Sequence, residues 1–272
     1  MIDAHQHFWR IGENDCTWPT PDLTALYRNF EPPDLEGITR PLGVTGSVLV
    51  QTQESDRDTN WMISLAADAP FVKAVVGWAD LAAPHAPDRI ADLARAPKFR
   101  GLRPMLQGVR PDDWITQPTL APAIEAMIAH QITFDALVFT RHLPALRAFA
   151  TRHPDLPIVI DHAAKPPIAA AQLDPWRDEM AAIAGLPNVW CKLSGLLTEA
   201  AAGASQEALQ PYVSHLVNIF GASRLMWGSD WPVLLLVGDY ARWLDLARDL
   251  TGLESAEQDL VFAGVARAFY RI

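Results

Sequence analysis

Two histidines stand two residues apart near the start of the chain, and a distant aspartate follows a short apolar segment near its other end. The first seven residues read Met-Ile-Asp-Ala-His-Gln-His. If this segment is a β-strand, His5 and His7 project from the same face and their imidazoles lie side by side. Asp230 comes just after the predicted strand 224–228. Such a group could bind a metal ion, or it could hydrogen-bond to a substrate oxygen and transfer protons.

The elements that must position these residues follow from the order of apolar segments. About eight short and mostly non-alternating apolar segments are each followed by a helical stretch, at a spacing near 30 residues, as parallel strands buried on both faces require. We predict one (β/α)8 TIM-barrel domain over residues 1–272. A doubly wound open sheet is the alternative, but no glycine-rich fingerprint follows the first strand. The predicted strands are 1–7, 46–53, 71–78, 99–103, 133–139, 157–162, 188–193 and 224–228. The predicted helices are 34–40, 58–68, 87–96, 120–129, 143–151, 176–184, 206–220, 240–250 and 256–269.

Residues 8–33 are rich in aromatic residues and proline, which predicts a long loop folded over the barrel mouth.

Composition limits the classes of partner. Half of the 272 residues are hydrophobic and the formal net charge is −10, which argues against a nucleic-acid partner and favours a small-molecule substrate. No apolar run is long enough to span a bilayer, and no signal-peptide pattern opens the chain. Cys16 and Cys191 have no CxxC spacing and are expected to be free thiols. We therefore expect a cytoplasmic protein without a membrane partner.

Polar residues end nearly every predicted strand, and in a barrel these ends face one mouth. The strongest candidates for catalysis are Asp230 and His162, each of which comes shortly after an apolar segment. Asp135 lies inside an apolar segment, where it could orient its neighbours or react, and the role of His142 stays open. Arg103 and Lys192 could instead form structural ion pairs. The full set at the strand ends is His5, His7, Gln51, Gln53, Trp78, Asp80, Arg103, Gln107, Asp135, Arg141, His142, Asp161, His162, Lys165, Lys192, Ser194, Ser229, Asp230 and Trp231.

Four segments resemble the amidohydrolase superfamily, and in particular its amidohydrolase-related branch of sugar-lactone hydrolases. They are Asp-Ala-His-Gln-His-Phe-Trp at 3–9, Val-Ile-Asp-His-Ala-Ala-Lys-Pro at 159–166, Cys-Lys-Leu-Ser-Gly at 191–195 and Gly-Ser-Asp-Trp-Pro-Val at 228–233. The resemblance runs from residue 3 to about residue 240 and implies a TIM barrel that hydrolyses C–O or C–N bonds. By position, His5 and His7 match the histidine pair of the family's first strand. His162 matches the histidine of its sixth strand, and Asp230 matches the aspartate of its eighth strand, which activates the water.

The chain departs from the metal-rich members of that superfamily. Its fourth strand carries Arg103 and then Pro104 in place of a metal-bridging lysine or glutamate, and its fifth offers no histidine before His142. A binuclear centre is therefore not expected. One divalent ion, such as zinc, at His5, His7 and Asp230 is one possibility, and catalysis without a metal is the other.

These observations lead to the hypothesis of a hydrolase that opens a sugar-acid lactone, of the L-fucono- or L-rhamnono-lactone type, to the aldonate. Asp230 would act as general base on water, while His5, His7, His162 and Arg103, or a metal, stabilise the oxyanion. The candidates for substrate binding are Lys165, Lys192, Gln51, Gln107, Trp78 and Trp231. Alternatives are hydrolysis of a pyrone or muconolactone, decarboxylation of an aromatic acid, isomerisation between lactone ring sizes, and non-catalytic sugar binding. The oligomeric state does not follow from these residues.

Overall fold

A single parallel sheet of eight strands forms the centre of the computed structural model, which describes residues 1–272. Each strand pairs in parallel with the next one in sequence. The predicted barrel fold is confirmed. The strands are β1 Ile2–Gln6, β2 Gly46–Val50, β3 Val72–Gly77, β4 Phe99–Leu102, β5 Thr133–Ala136, β6 Ile158–Ile160, β7 Val189–Leu193 and β8 Leu225–Trp227. The helices are α1 Pro32–Thr39, α2 Asp56–Asp68, α3 Ala86–Leu93, α4 Ala121–Ala129, α5 Leu143–Arg152, α6 Trp176–Ala184, α7 Leu196–Glu199, α8 Gln206–Phe220, α9 Tyr240–Thr251, α10 Ser255–Asp259 and α11 Val265–Tyr270.

Several strands end earlier than their apolar patterns predict. The predicted strand 133–139 ends at Ala136, and the predicted strand 157–162 ends at Ile160. Leu137 and Val138 after β5, and Asp161 and His162 after β6, are as buried as the strands themselves, so burial alone does not mark the boundary. They leave the hydrogen-bond ladder, and 3-10 turns follow at Thr140–His142 and Asp161–Ala164. His7, Arg103 and Asp161 are accordingly the first residues after β1, β4 and β6.

Closure of the barrel depends on the residues that follow β8. The backbone N–H of Asp230 donates to the carbonyl of His5 at 2.8 Å, and the N–H of His7 donates to the carbonyl of Trp231 at 2.8 Å. Asp3 strengthens this seam because its carboxylate accepts hydrogen bonds from the Ser229 hydroxyl at 2.6 Å and the Tyr240 hydroxyl at 2.9 Å. Burial raises the pKa of Asp3 to about 6 even though these donors oppose the shift.

The C-terminal helix differs from its prediction. Residues 256–269 are interrupted by a π-helical segment, Leu260–Gly264, between α10 and α11. The chain then brings Tyr270 into the barrel interior, where its hydroxyl donates to Asp135 Oδ2 at 2.6 Å. No helix combines the length and the hydropathy that crossing a membrane would require.

The long segment between β1 and α1 contacts the barrel mouth. Trp18 packs edge-on against Trp9 with ring centroids 5.4 Å apart. Gln53, just after β2, holds this segment by accepting from the backbone N–H of Thr17 at 3.0 Å and donating to the carbonyl of Trp18 at 2.7 Å. The loop therefore has a defined position beside the strand ends. Helix α1 begins at Pro32, earlier than predicted, because proline is well tolerated in the first turn.

Candidate active site

Asp230 lies within reach of three histidine side chains. Its Oδ1 is 3.2 Å from Nε2 of His7, 3.7 Å from Nε2 of His5 and 3.8 Å from Nε2 of His162. All four residues are buried, with Asp230 only 5% exposed. Burial by itself would raise the pKa of the Asp230 carboxyl, but the adjacent imidazoles of His162, His7 and His5 hold it below its usual range. A carboxylate in this position is ionised and can accept a proton.

A hydrogen bond at its far side orients the imidazole of His7. Its Nδ1 lies 2.7 Å from the carbonyl oxygen of Val50. Since a carbonyl can only accept, Nδ1 carries the proton and the neutral ring keeps its lone pair on Nε2. That lone pair faces both Asp230 and Nε2 of His5, which lies 3.2 Å away. Two acceptor atoms, His7 Nε2 and Asp230 Oδ1, therefore face one another. Because their lone pairs repel, this position suits a proton, a water molecule that donates to both, or a cation.

A buried group of charges lies beneath His5 inside the barrel. The Lys192 ammonium is 2.6 Å from Asp135 Oδ2 and 2.9 Å from Asp161 Oδ1. It is also 3.2 Å from Nδ1 of His5. Burial opposes ionisation of Asp161, but Lys192, His5 and Arg103 together hold its pKa well below the usual range. Because all these groups are fully buried, they act as rigid support for the histidines.

Arg103 connects this charged group to the cavity above it. Its guanidinium contacts Asp161 Oδ2 at 3.3 Å and His5 Nε2 at 3.4 Å, and it donates to the carbonyl of Gln51. Its Nε forms no hydrogen bond with the protein. Arg103 is thus both an ion-pair partner, as one reading of its sequence position proposed, and part of the cavity wall.

An unusual backbone turn carries His162. Residues 162–165 all have positive φ, with His162 at φ 51° and ψ 36° and Lys165 at φ 52° and ψ 71°. Each non-glycine residue in this conformation costs about 1–2 kcal/mol, so the surrounding packing must hold the turn in place. Trp176 does so by donating its indole N–H to the carbonyl of Ala163 at 2.7 Å. Such strain concentrates at functional sites, and here it places His162 on the cavity wall.

Close packing then fixes the His162 ring. Its Nδ1 lies 2.9 Å from the Ser194 hydroxyl. A Cβ atom at Gly195 would lie only 2.6 Å from the same Nδ1, so the ring occupies the space that glycine leaves free. Gly195 also has a φ of 65°, which glycine adopts without strain. Burial lowers the pKa of His162 to about 4, although Asp230 opposes the shift.

His7, His162 and Asp230 open onto a cavity of about 370 Å³, within the size range of small-molecule sites. Of the predicted site residues, six line it: His7, Arg103, Gln107, His162, Lys165 and Asp230. His5 is fully buried behind His7. Eight further lining residues were not among the predicted catalytic or substrate-binding residues, namely Thr17, Trp18, Thr52, Gln53, Glu54, Met105, Leu137 and Val233. The aromatic composition of residues 8–33 was the available signal for Thr17 and Trp18. The position of Gln53 at a strand end was the available signal for that residue.

Four predicted substrate-binding residues lie away from this cavity. Gln51 is buried and donates to the carbonyl of Arg103 at 2.8 Å, and Lys192 lies in the charged group described above. Trp231 is 1% exposed and packs edge-on against Phe30. Trp78 lines a neighbouring cavity instead. Neither residue type nor position in the sequence distinguishes a side chain that points into the mouth from one that points into the barrel or its packing.

His142 and Asp135, whose roles the sequence left open, both have defined partners. Asp135 binds Lys192 and Tyr270 within the barrel. His142 accepts a hydrogen bond from the backbone N–H of Phe139 at 3.0 Å, and its Nε2 lies 3.5 Å from Asp112. It therefore braces the loop after β4, outside the cavity.

The donor atoms of His5, His7 and Asp230 fit a zinc ion. Tetrahedral ligands at about 2.0–2.1 Å from zinc lie about 3.3–3.4 Å from one another, and the three pairs here are 3.2, 3.2 and 3.7 Å apart. His7 already presents a lone pair at Nε2. Asp161 Oδ1 is buried without a hydrogen-bond donor of good geometry and lies 3.5 Å from His5 Nδ1. The tautomer in which His5 Nδ1 donates to Asp161, and does not accept from Lys192 at 3.2 Å, leaves the lone pair of His5 on Nε2 as well.

Comparisons with known proteins agree with this fold and site. The amidohydrolase family model matches residues 2–272, and the chain belongs to that family. It is 51% identical to an L-fucono-1,5-lactonase of Burkholderia ambifaria, over all of this chain and 95% of the relative. An L-fucono-1,5-lactonase of Burkholderia multivorans is 34% identical, over all of this chain and 96% of the relative. A crystal structure of an amidohydrolase from Burkholderia multivorans with bound zinc has 34% identity and a TM-score of 0.93, covering 100% of this chain and 99% of its own.

Proposed function

We propose that this protein hydrolyses a sugar-acid 1,5-lactone, of which L-fucono-1,5-lactone is the leading candidate, to the open-chain aldonate. One observation carries the proposal: the Nε2 atoms of three histidines converge on the Asp230 carboxylate, which lines a polar cavity with His7 and His162. Full-length relatives that are L-fucono-1,5-lactonases support the choice of reaction and substrate.

Asp230 acts as the general base. It removes a proton from a water molecule as that water attacks the lactone carbonyl carbon. The neighbouring histidines keep its carboxyl ionised, and its backbone is fixed by the hydrogen bond to His5 at the barrel seam. A base that is held in place loses little entropy when the reacting atoms come together.

The groups that stabilise the carbonyl oxygen are Arg103 and the histidines. As the water attacks, negative charge develops on that oxygen, and preorganised donors in a buried site stabilise it strongly. Arg103 is a permanent cation on the cavity wall, and His162 presents its Nε2 to the same region. A lactone is an ester, so its carbonyl needs less activation than that of an amide.

His5, His7 and Asp230 are also the residues that would hold a divalent ion such as zinc. The spacing of their donor atoms and the fixed tautomer of His7 support this assignment. When bound, the ion would supply Lewis-acid chemistry to a carbonyl oxygen or a water molecule.

The remaining wall suits a deoxy sugar ring. Hydroxyl groups find donors and acceptors in Thr17, Gln53 and Glu54, while an apolar edge or methyl group finds Met105, Leu137 and Val233. Trp18 offers an aromatic face. Gln107 and Lys165, which are hydrogen-bonded to one another at 2.8 Å, are the predicted hydroxyl-binding residues that stand on this wall.

Proton release from L-fucono-1,5-lactone tests the proposal. We expect rapid turnover, and slower turnover of epimers and of lactones that lack the methyl group. The assay is repeated after chelation and again after zinc is restored, with metal content measured in each state. Recovery of activity together with one bound zinc supports the zinc assignment, and unchanged activity in metal-depleted enzyme contradicts it. If no aldonolactone is hydrolysed in any state, the proposed function is wrong.

A further inference from the structure

The left-handed turn after β6 brings a second functional group to the cavity besides His162. The N–H of Lys165 donates to the carbonyl of His162 at 2.8 Å, which closes a four-residue turn over residues 162–165. In such a tight turn, residues i and i+3 lie on the same side. Both side chains accordingly line the cavity. The strained backbone thus presents two side chains, those of His162 and Lys165, to the cavity.

The Lys165 ammonium retains unused hydrogen-bond donors. An ammonium has three N–H bonds, and here only one protein acceptor is engaged, the Gln107 side-chain oxygen at 2.8 Å. The Phe139 ring lies 5.1 Å from Nζ and packs against the same group. Gln107 is itself fixed, because its N–H donates to the carbonyl of Leu137 at 3.0 Å and its own carbonyl accepts from Arg141 at 3.2 Å. Lys165 is therefore a positioned donor with two N–H bonds free for a ligand.

Lactone hydrolysis requires a second proton transfer, to the ring oxygen, in addition to the transfer from water to Asp230. When the tetrahedral intermediate collapses, the ring oxygen leaves as an alkoxide, which is far more basic than an amine, and it must be protonated. Asp230 has by then accepted the proton of the attacking water. Arg103 lines the same cavity but cannot give up a proton in a protein. The three histidines surround Asp230 and so stand on the side of the attacking water.

We propose that Lys165 is the general acid that protonates the ring oxygen as the lactone opens, an inference that rests on the lactone-hydrolase function proposed above. Water adds to the carbonyl carbon and gives one proton to Asp230. The bond between the carbonyl carbon and the ring oxygen then breaks, its electron pair goes to the ring oxygen, and that oxygen takes a proton from Nζ. The protonated Asp230 returns its proton to the lysine amine through solvent, and the product acid ionises. The net release is one proton for each lactone.

Burial also favours this role. It lowers the pKa of Lys165, and the nearby carboxylates of Glu199 and Asp230 only partly oppose the shift. A lower pKa brings an ammonium closer to the range in which general acids work best at neutral pH.

The test separates proton donation from charge and from binding. Lys165→Arg keeps the positive charge and the hydrogen-bond donors but cannot give up a proton. Lys165→Met removes the charge, the donors and the transferable proton. With L-fucono-1,5-lactone, we expect kcat to fall about 10²–10³-fold in both variants, with KM within a few-fold of the wild-type value. If Lys165 only binds the substrate, Lys165→Arg keeps kcat and Lys165→Met raises KM. That result overturns the proposal.

A chemical rescue keeps the test decisive if either variant folds poorly. Lys165→Cys treated with 2-bromoethylamine regains an amine of nearly the same length, and we expect most of kcat to return. Wild-type enzyme treated in the same way is the control, because Cys16 is partly exposed. Failure of the amine to restore kcat in protein shown to be folded and fully alkylated overturns the acid role. Lack of turnover by the wild-type enzyme would instead count against the lactone-hydrolase function.

Discussion

The backbone N–H of Asp230 donates to the carbonyl of His5 at 2.8 Å, and the side chains of the same two residues approach to 3.7 Å. The contact that closes the barrel between its first and last strands is therefore also the contact that assembles the site. Residues 225 positions apart in the chain become neighbours only when all eight strands have paired in order. The site is therefore complete only in the closed barrel.

Replacement of Asp230 by asparagine tests the general base. Asn has nearly the same shape and tolerates the left-handed conformation at this position, where φ is 57°. We expect kcat to fall about 10²–10⁴-fold with little change in the melting temperature. Steady-state kinetics and thermal unfolding measure the two effects. Turnover within tenfold of the wild-type rate would mean that another group activates the water.

Replacement of Gly195 by alanine tests how the position of His162 is maintained. The new methyl group would lie 2.6 Å from His162 Nδ1 and would push the ring away from Asp230. We expect kcat to fall at least about tenfold, in addition to a loss of about 1–2 kcal/mol in stability from the positive φ. The matched control is Gly203→Ala, because Gly203 also has a positive φ but no atom within 4 Å of the added group. Equal kcat values in the two variants would contradict the proposed packing role.

Replacement of Lys192 by methionine tests whether this residue supports the barrel interior. The change leaves Asp135 and Asp161 buried without their shared cation, which typically costs about 3–5 kcal/mol. Denaturant unfolding measures the loss. Lys73→Met is the control, since the Lys73 ammonium is exposed and contacts only a carbonyl oxygen. A stable variant with a raised KM would instead favour the direct substrate contact predicted from the sequence.

The pH dependence of stability tests the buried carboxyl of Asp58. Burial raises its pKa from 3.8 to about 7, and hydrogen bonds from backbone N–H groups of Gln53 and Thr52 only partly oppose the shift. The folded protein then holds this proton more tightly than the unfolded chain does. The resulting stabilisation is complete below pH 3.8 and disappears as the pH rises through about 7, and it amounts to at most about 4 kcal/mol.

Asp58→Asn should therefore flatten the decline in melting temperature between pH 4.5 and pH 7.5. Asp56→Asn on the same helix is the control, because Asp56 is exposed and paired with Arg89. If the melting temperature falls with pH by the same amount in wild-type protein and in Asp58→Asn, the assignment is contradicted.

Much of the fold could be predicted from local patterns. Apolar segments with helical stretches between them indicated all eight strands, and the helices 176–184 and 206–220 agree with the structure residue for residue. Boundaries were less accurate where buried residues continue past a strand, as after Ile160, because hydrophobicity reports burial and not hydrogen bonding. The π-helical segment before α11 has no signal of its own in the sequence.

The sequence by itself determined which elements form, in what order, and that His5, His7, His162 and Asp230 stand at the ends of strands. These features depend on residue type and spacing along the chain. Only the tertiary structure decided which polar side chains reach the cavity. Gln51 and Lys192 turn into the barrel, while Thr17 and Trp18 arrive from a loop held by Gln53. The direction of a side chain at a strand end depends on the packing of neighbouring strands and loops, and those contacts join residues far apart in the sequence.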